Sequence, residues 1–115
     1  MAATKYNLVI EQGATFIKQI TLSDAATGVK RDLTGWTGRG MIRLAYEDDQ
    51  PYAVFNVITD GTSGILSVNL TSVQTAGFSF ESALYDVELV QDGTNPEYVE
   101  RILQGNVFLS KEVTR

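Results

Sequence analysis

Residues 83–90, Ala83-Leu84-Tyr85-Asp86-Val87-Glu88-Leu89-Val90, decide the fold class. Tyr85, Val87 and Leu89 fall on one side of an extended chain and Asp86 and Glu88 on the other, the period-two pattern of a half-buried strand. An Asp92-Gly93 turn follows, and the stretch from Tyr98 to Leu109 has the spacing to pair back as a hairpin. In that second strand Leu103, Val107 and Leu109 are expected inward. Tyr98, Ile102 and Phe108 are expected together on the outer face, an apolar stripe that a monomer would not leave bare. On the N-terminal side, Thr71 is a suitable cap for one helical turn through Ala76, ended by Gly77. Phe78-Ser79-Phe80 then leads into the opening strand.

The rest of the chain repeats this pattern in short lengths. Tyr6 to Ile10 forms a first strand, and Gly13 in Glu11-Gln12-Gly13 is the turn residue that accepts a positive φ. Ala14 to Leu22 follows, with Phe16, Ile20 and Leu22 inward. Lys18 shares that face; its aliphatic stem can lie along the core while the ammonium reaches water, and nothing nearby in sequence supports a buried catalytic lysine. Ser23 to Arg31 reads as a loop. In Asp32-Leu33-Thr34-Gly35-Trp36 the aspartate can bond backbone amides while Leu33 plugs the end of the core. Thr37 to Tyr46 is a strand with Ile42 and Leu44 inward and Arg39 and Arg43 outward. Gly38 and Gly40 fall on its inward face, where glycine marks the close approach of another group and the Trp36 ring is a candidate. After the acidic turn Glu47-Asp48-Asp49-Gln50-Pro51, strands over Ala53–Ile58 and Ile65–Leu70 are joined by a hairpin at Asp60–Gly64, with Leu66, Val68 and Leu70 inward.

The sum is about seven short strands with turn signals at regular spacing and one helical turn. That predicts a single all-β domain over residues 1–115, an antiparallel β-sandwich. The order of parts resembles an immunoglobulin-like Greek key. A helical turn precedes a strand that opens with a tyrosine, as at a tyrosine corner, and Val87 stands two residues on, where antibody domains carry cysteine.

Composition narrows the chemistry. The chain has 115 residues, enough for one core that buries roughly 60–70% of the unfolded surface. Nine Lys and Arg against fourteen Asp and Glu give a net charge of −5, which repels phosphate backbones and anionic membranes, so neither nucleic acid nor membrane is expected as a partner. There is no cysteine and no histidine, which removes disulfides, thiolate chemistry and the commonest general base and metal ligand. The N-terminus Met1-Ala2-Ala3-Thr4-Lys5-Tyr6 lacks the apolar run of a signal peptide. The expectation is a chain made in a cytoplasm, or built into something assembled there, with ends held by neighbouring contacts.

No catalytic, cofactor or metal site is expected. Glu47-Asp48-Asp49 offers oxygens for a hard cation but lacks EF-hand spacing, so a solvated turn is the simpler reading. Asp86 and Glu88 share a face, as an acid–base pair could, yet on an outer strand face they fit solvated charges paired with Arg39, Arg43 or Arg101. Gly35, Gly38 and Gly40 are followed by no strand–turn–helix unit of a phosphate loop. The aromatic residues Tyr46, Tyr52, Phe78, Phe80, Tyr98 and Phe108, with Ile102, are the candidate interface set: near turns or on outer faces they either anchor a partner or cover the ends of the sandwich.

Several stretches together resemble a family of small virion proteins of tailed bacteriophages. They are Tyr6-Asn7-Leu8-Val9-Ile10-Glu11-Gln12-Gly13-Ala14-Thr15-Phe16, Asp32-Leu33-Thr34-Gly35-Trp36-Thr37, Leu84-Tyr85-Asp86-Val87-Glu88-Leu89, and Arg101-Ile102-Leu103-Gln104-Gly105-Asn106-Val107 with Glu112-Val113-Thr114-Arg115. The plan is similar to the N-terminal immunoglobulin-like domain of baseplate upper proteins, with Gly38 and Gly40 standing where larger apolar residues are expected. The resemblance implies a non-enzymatic structural subunit of a virion, at the tail or baseplate. It would be present in many copies or as a homo-oligomer, with other virion proteins as partners and its termini and outer strands as docking surfaces. A capsid decoration protein on the head and a carbohydrate-binding host-attachment module, the latter using Tyr46 or Tyr52, are the alternatives.

Overall fold

Residues 83–90 lie on a strand that is paired on both sides. A computed structural model describes residues 4–23 and 27–113. Its elements in chain order are β1 (Thr4–Lys5), β2 (Leu8–Glu11), β3 (Phe16–Thr21), β4 (Trp36–Arg43), β5 (Ala53–Asp60), β6 (Ile65–Leu70), α1 (Ser72–Ala76), β7 (Ser82–Gln91) and β8 (Tyr98–Ser110). Strand β7 is paired antiparallel on both sides, with β4 and with β8. Tyr85, Val87 and Leu89 are buried and Asp86 and Glu88 half-buried on the other face, as their alternation requires.

The described residues are all-β apart from α1, and their strands form one curled sheet in the order β1-β8-β7-β4-β5-β6-β3, with β2 also on β8. The curl is made by β5, which changes partner along its length. Ala53–Phe55 pair with β4, whereas Asn56–Asp60 pair with β6. The two limbs then face each other across a common core. Leu8, Ile10, Ile42, Val87, Leu89 and Val107 come from one limb and Leu66, Val68 and Leu70 from the other. The sheet is mixed rather than wholly antiparallel, because β1 and β2 run parallel to β8. A local turn enforces antiparallel pairing between neighbours in sequence, but no turn connects the first strands to the last.

Local chemistry accounts for the connections. The Thr71 hydroxyl accepts from the Gln74 amide, and the Gln74 side chain accepts from the Thr71 amide, so α1 begins with a complete capping box. It ends at Gly77 in ordinary right-handed geometry, φ −84°, so glycine is not required there by the backbone. Thr75 is fully buried; its hydroxyl accepts from the Gly13 amide (3.1 Å) and donates to the Ala14 carbonyl (2.8 Å), fastening α1 to the turn between β2 and β3. Gly13 has the positive φ expected of it, +84°. Gln12 joins the same region to the end of β8, its amide donating to the Ser110 carbonyl and its side-chain oxygen accepting from the Glu112 amide. The expectation that both chain ends are held falls partly on residues 1–3 and 114–115, outside those described, as residues 24–26 of the Ser23–Arg31 loop also are. Hydrogen bonding from the Thr34 side chain, and after it from the Thr34 amide at 2.9 Å, holds the Asp32 carboxyl below the usual aspartate range, and Leu33 is buried at the end of the core. Lys18 lies half-buried, its ammonium 3.1 Å from the Tyr6 hydroxyl and 4.6 Å from the centre of that ring.

Three expectations are corrected here. Leu44 is exposed, because β4 ends at Arg43 and the chain turns away at once, with the Ala45 amide donating to the Asp48 carboxylate. The space over Gly38 and Gly40 is filled from the facing limb and from β5 rather than by Trp36: a Cβ at Gly38 would run into Val57, and one at Gly40 would lie 3.1 Å from the Phe55 ring. Tyr85 is not a tyrosine corner. Its hydroxyl donates to the carbonyl of Tyr6, which lies 79 residues away, instead of to backbone a few residues upstream. It holds the N-terminal segment where a Cβ at Gly105 would meet that same carbonyl.

Candidate functional site

The outer face of β4, β7 and β8 gathers charge because three strands alternate in register. Arg39 lies opposite Glu88, Met41 opposite Asp86 and Arg43 opposite Leu84; on the other side Glu88 meets Arg101 and Asp86 meets Gln104. Opposite charges on neighbouring strands then pair, as cross-strand neighbours do. Arg39 donates to Glu88 at 2.9 Å and lies 3.7 Å from Glu97, while Arg101 is 3.4 Å from Asp86 and 3.9 Å from Glu88. Arg43 differs. Its guanidinium donates to the Asp48 backbone carbonyl at 2.9 Å and rests 3.7 Å from the Met41 sulfur, and among the described residues no carboxylate lies within ion-pair distance of it. Burial raises the Asp86 carboxyl above the usual range and repulsion from Glu88 adds to this, against the opposing pull of Arg101, Arg43 and Arg39.

These side chains surround a groove of about 390 Å³ whose apolar surface comes from Met41, Leu84 and Tyr46. Tyr46 is 84% exposed at its margin. The carboxylates of Asp86 and Glu88 both lie within ion-pair distance of arginines. Glu47-Asp48-Asp49 folds back on this rim through Asp48, and no group of three or more metal-ligating side chains occurs among the described residues. No helix among them is long and apolar enough to cross a membrane.

The aromatic set divides. Phe78 and Phe80, expected near the surface, are 5% and 8% exposed. Burial alternates along Phe78-Ser79-Phe80, with both rings turned into the core and Ser79 exposed. Tyr52 packs edge-on against them with ring centres at 5.4 and 5.3 Å, and its hydroxyl accepts from the Ser79 amide at 3.0 Å. These three rings cover one end of the core, which leaves Tyr46 as the freely exposed member of the pair considered for glycan stacking.

Tyr98, Ile102 and Phe108 do not form the expected stripe. Val87 pairs with Leu103 but Glu88 pairs with Arg101, so Ile102 is an extra residue at a β-bulge, half-buried against the core. A bulge reverses the inside–outside phase of everything beyond it. Tyr98 therefore lies on the core side at the sheet's end, its ring 5.9 Å from Trp36, which also carries the Arg31 guanidinium at 4.7 Å. Arg31 is in turn 2.6 Å from the Glu100 carboxylate, close enough for an ion pair but not aligned for a hydrogen bond. Phe108 remains outward, and its partner across the parallel pairing is Val9; both are exposed. The sequence reading named the arginines and carboxylates of the groove separately and missed the groove itself. Strand register could have revealed it, since Arg39, Asp86 and Glu88 are outward-facing positions of paired strands.

No family model matches the chain. No curated protein matches it either. The site is therefore described by its own residues: a charged groove on the face of three strands, and an exposed apolar pair, Val9 and Phe108, where the first and last strands meet.

Proposed function

We propose that this chain is a non-enzymatic structural subunit of a tailed-bacteriophage virion, placed at the tail or baseplate and docked to neighbouring virion proteins through its outer strands and termini. The supporting observation is the pairing of Val9 with Phe108, which sets an exposed apolar patch on the margin where β2 and β8 run side by side. Solvent-facing apolar neighbours on an edge strand and the strand beside it suit burial by another subunit. The finer fold reading belongs to the same proposal. The curled sheet is an immunoglobulin-like sandwich, with β8, β7 and β4 as one layer, β6 and β3 as the other, and β5 passing between them. The shared core and the partner change along β5 support it; the Tyr85 hydrogen bond, reaching Tyr6, does not contribute to that likeness. Several copies per particle and assembly in the host bacterial cytoplasm follow from the same reading. Mass spectrometry of purified virions from the phage that carries the gene is the test. Peptides of this chain at stoichiometric levels are expected, and their absence from intact particles would end the proposal.

A further inference from the structure

We propose that the free edge of β2 pairs with β2 of a second copy of this chain, antiparallel about a two-fold axis at Leu8. This names the partner for the docking role proposed above and rests on that reading. The first strands run along β8 in unbroken register, from Thr4 opposite Leu103 to Glu11 opposite Ser110. The amides of Tyr6 and Gln12 donate to the Gln104 and Ser110 carbonyls of β8. Main-chain groups alternate in direction along a strand, so the amides of Asn7 and Val9 point the other way, to an edge that no described strand occupies. A two-fold axis at Leu8 sets Asn7 opposite the partner's Val9. The two residues then exchange both of their backbone hydrogen bonds, as does the symmetry-related pair.

Charge selects the occupant and its direction. Lys5 is exposed at the start of this edge, and the Lys18 ammonium stands against the neighbouring Tyr6 ring. Arg101, the next cation along β8, is matched by Asp86. At the other end Glu11 is exposed, and a Cβ at Gly13 would meet the Glu112 carboxylate. Glu81 lies there too, its carbonyl accepting from the Leu109 amide, with Lys111 just beyond Ser110 as the one cation. Among the described residues the start of the edge is therefore positive and its end negative, and neither Lys5 nor Glu11 has an ion-pair partner. Such an edge complements itself only when antiparallel; parallel addition would set like charges together. The axis at Leu8 places Lys5 opposite the partner's Glu11, and Glu11 opposite the partner's Lys5, on the outer face. The far edge of the sheet is guarded. There β3 turns Lys18 to the core side, opposite Val68, and an inward charge resists strand addition, whereas β2 turns in only Leu8 and Ile10.

The test is sedimentation equilibrium of the full chain from micromolar to millimolar concentration at low salt, with amide NMR shifts followed over the same range. A monomer–dimer equilibrium is expected, with the shifts centred on Asn7 and Val9. Lys5→Glu and Glu11→Lys should each weaken it roughly tenfold, because symmetry turns each single change into a pair of repulsions where there were attractions. An equimolar mixture of the two variants should dimerise again, since every lysine then meets a glutamate. Val9→Pro removes a donor that β8 does not use and should abolish the dimer while the β8 amides keep their hydrogen-exchange protection. A chain that stays monomeric at millimolar concentration, a mixture that associates no better than its components, or a dimer untouched by Val9→Pro would overturn the proposal. Concentration-dependent shifts confined to β3, or to the outer face of β4 and β7, would place the contact elsewhere and overturn it too. None of these results depends on whether the chain is found in virions, so the two readings fail separately.

Discussion

Replacing Tyr85 with phenylalanine removes one oxygen from the centre of the molecule and tests how the N-terminal segment is held. The ring is 5% exposed and packs edge-on against Phe55 with centres 6.2 Å apart, so Tyr85→Phe leaves the packing in place. What is lost is the hydroxyl that donates to the Tyr6 carbonyl. A net hydrogen bond contributes about 0.5–1.5 kcal/mol, and leaving its partner unsatisfied in a buried place costs about 1–3 kcal/mol. Tyr6 itself is 45% exposed, so water can compensate in part, and a loss of about 1–2 kcal/mol is expected. For a chain of this length that lowers Tm by roughly 4 °C per kcal/mol. Urea unfolding measures the total, and amide hydrogen exchange locates it. Protection should fall first at Tyr6, whose amide donates to the Gln104 carbonyl, and along β2, while β6 keeps its protection. Burial already pushes the Tyr85 hydroxyl up to about 12. Because the unfolded chain ionises near 10.0, wild-type stability should decline as pH rises above that value, and the Tyr85→Phe variant should lack this component. A variant as stable as wild type, or one whose exchange rises uniformly, would refute the assignment of this hydroxyl as the N-terminal clasp.

Three further outcomes are expected. Thr75→Val keeps the volume at a fully buried site but deprives the Gly13 amide and Ala14 carbonyl of their partner; a loss of about 1–3 kcal/mol in denaturant unfolding is expected, and a neutral result would mean that α1 is held by apolar contact alone. Gly38→Ala drives a Cβ into Val57 and should cost about 1–3 kcal/mol. In the double variant with Val57→Ala the cost should be well below the sum of the two single variants, whereas additivity would show that the two positions are not in contact. Carboxyl-carbon NMR titration should find Asp86 above and Asp32 below the ordinary aspartate value of 3.8. The signs for stability are opposite: the Asp86 contribution is present at low pH and lost as pH rises through its folded value, while the Asp32 contribution is present above the ordinary value and lost as pH falls. Titration in the reverse order would contradict both hydrogen-bond and burial assignments.

Elements defined by neighbouring residues were legible in the sequence. The alternation of Tyr85, Val87 and Leu89, the hairpin at Asp60–Gly64, the Thr71 cap and the Leu33 plug all depend on a few adjacent side chains, and all appear where expected. What depends on distant partners was not legible. Parallel pairing of β1 and β2 with β8 joins the two ends of the chain, and no turn announces it. The bulge at Ile102 is imposed by its pairing with β7, and it moves Tyr98 to the other face without altering the local pattern. Phe78 and Phe80 lie in a connection, which reads as surface, yet both rings are buried and Tyr52 packs against them. The groove was hidden for the same reason: its arginines and carboxylates are ordinary outward positions until three strands set them side by side.

The central claim concerns where the chain works. If the proposed virion role holds, intact particles of a phage shown to carry the gene, labelled with an antibody raised against the folded chain and imaged by electron microscopy, test it most directly. Label gathered on the tail or its baseplate is the predicted result; label on the head would move the chain to decoration of the capsid, and particles without label would contradict a place in the virion.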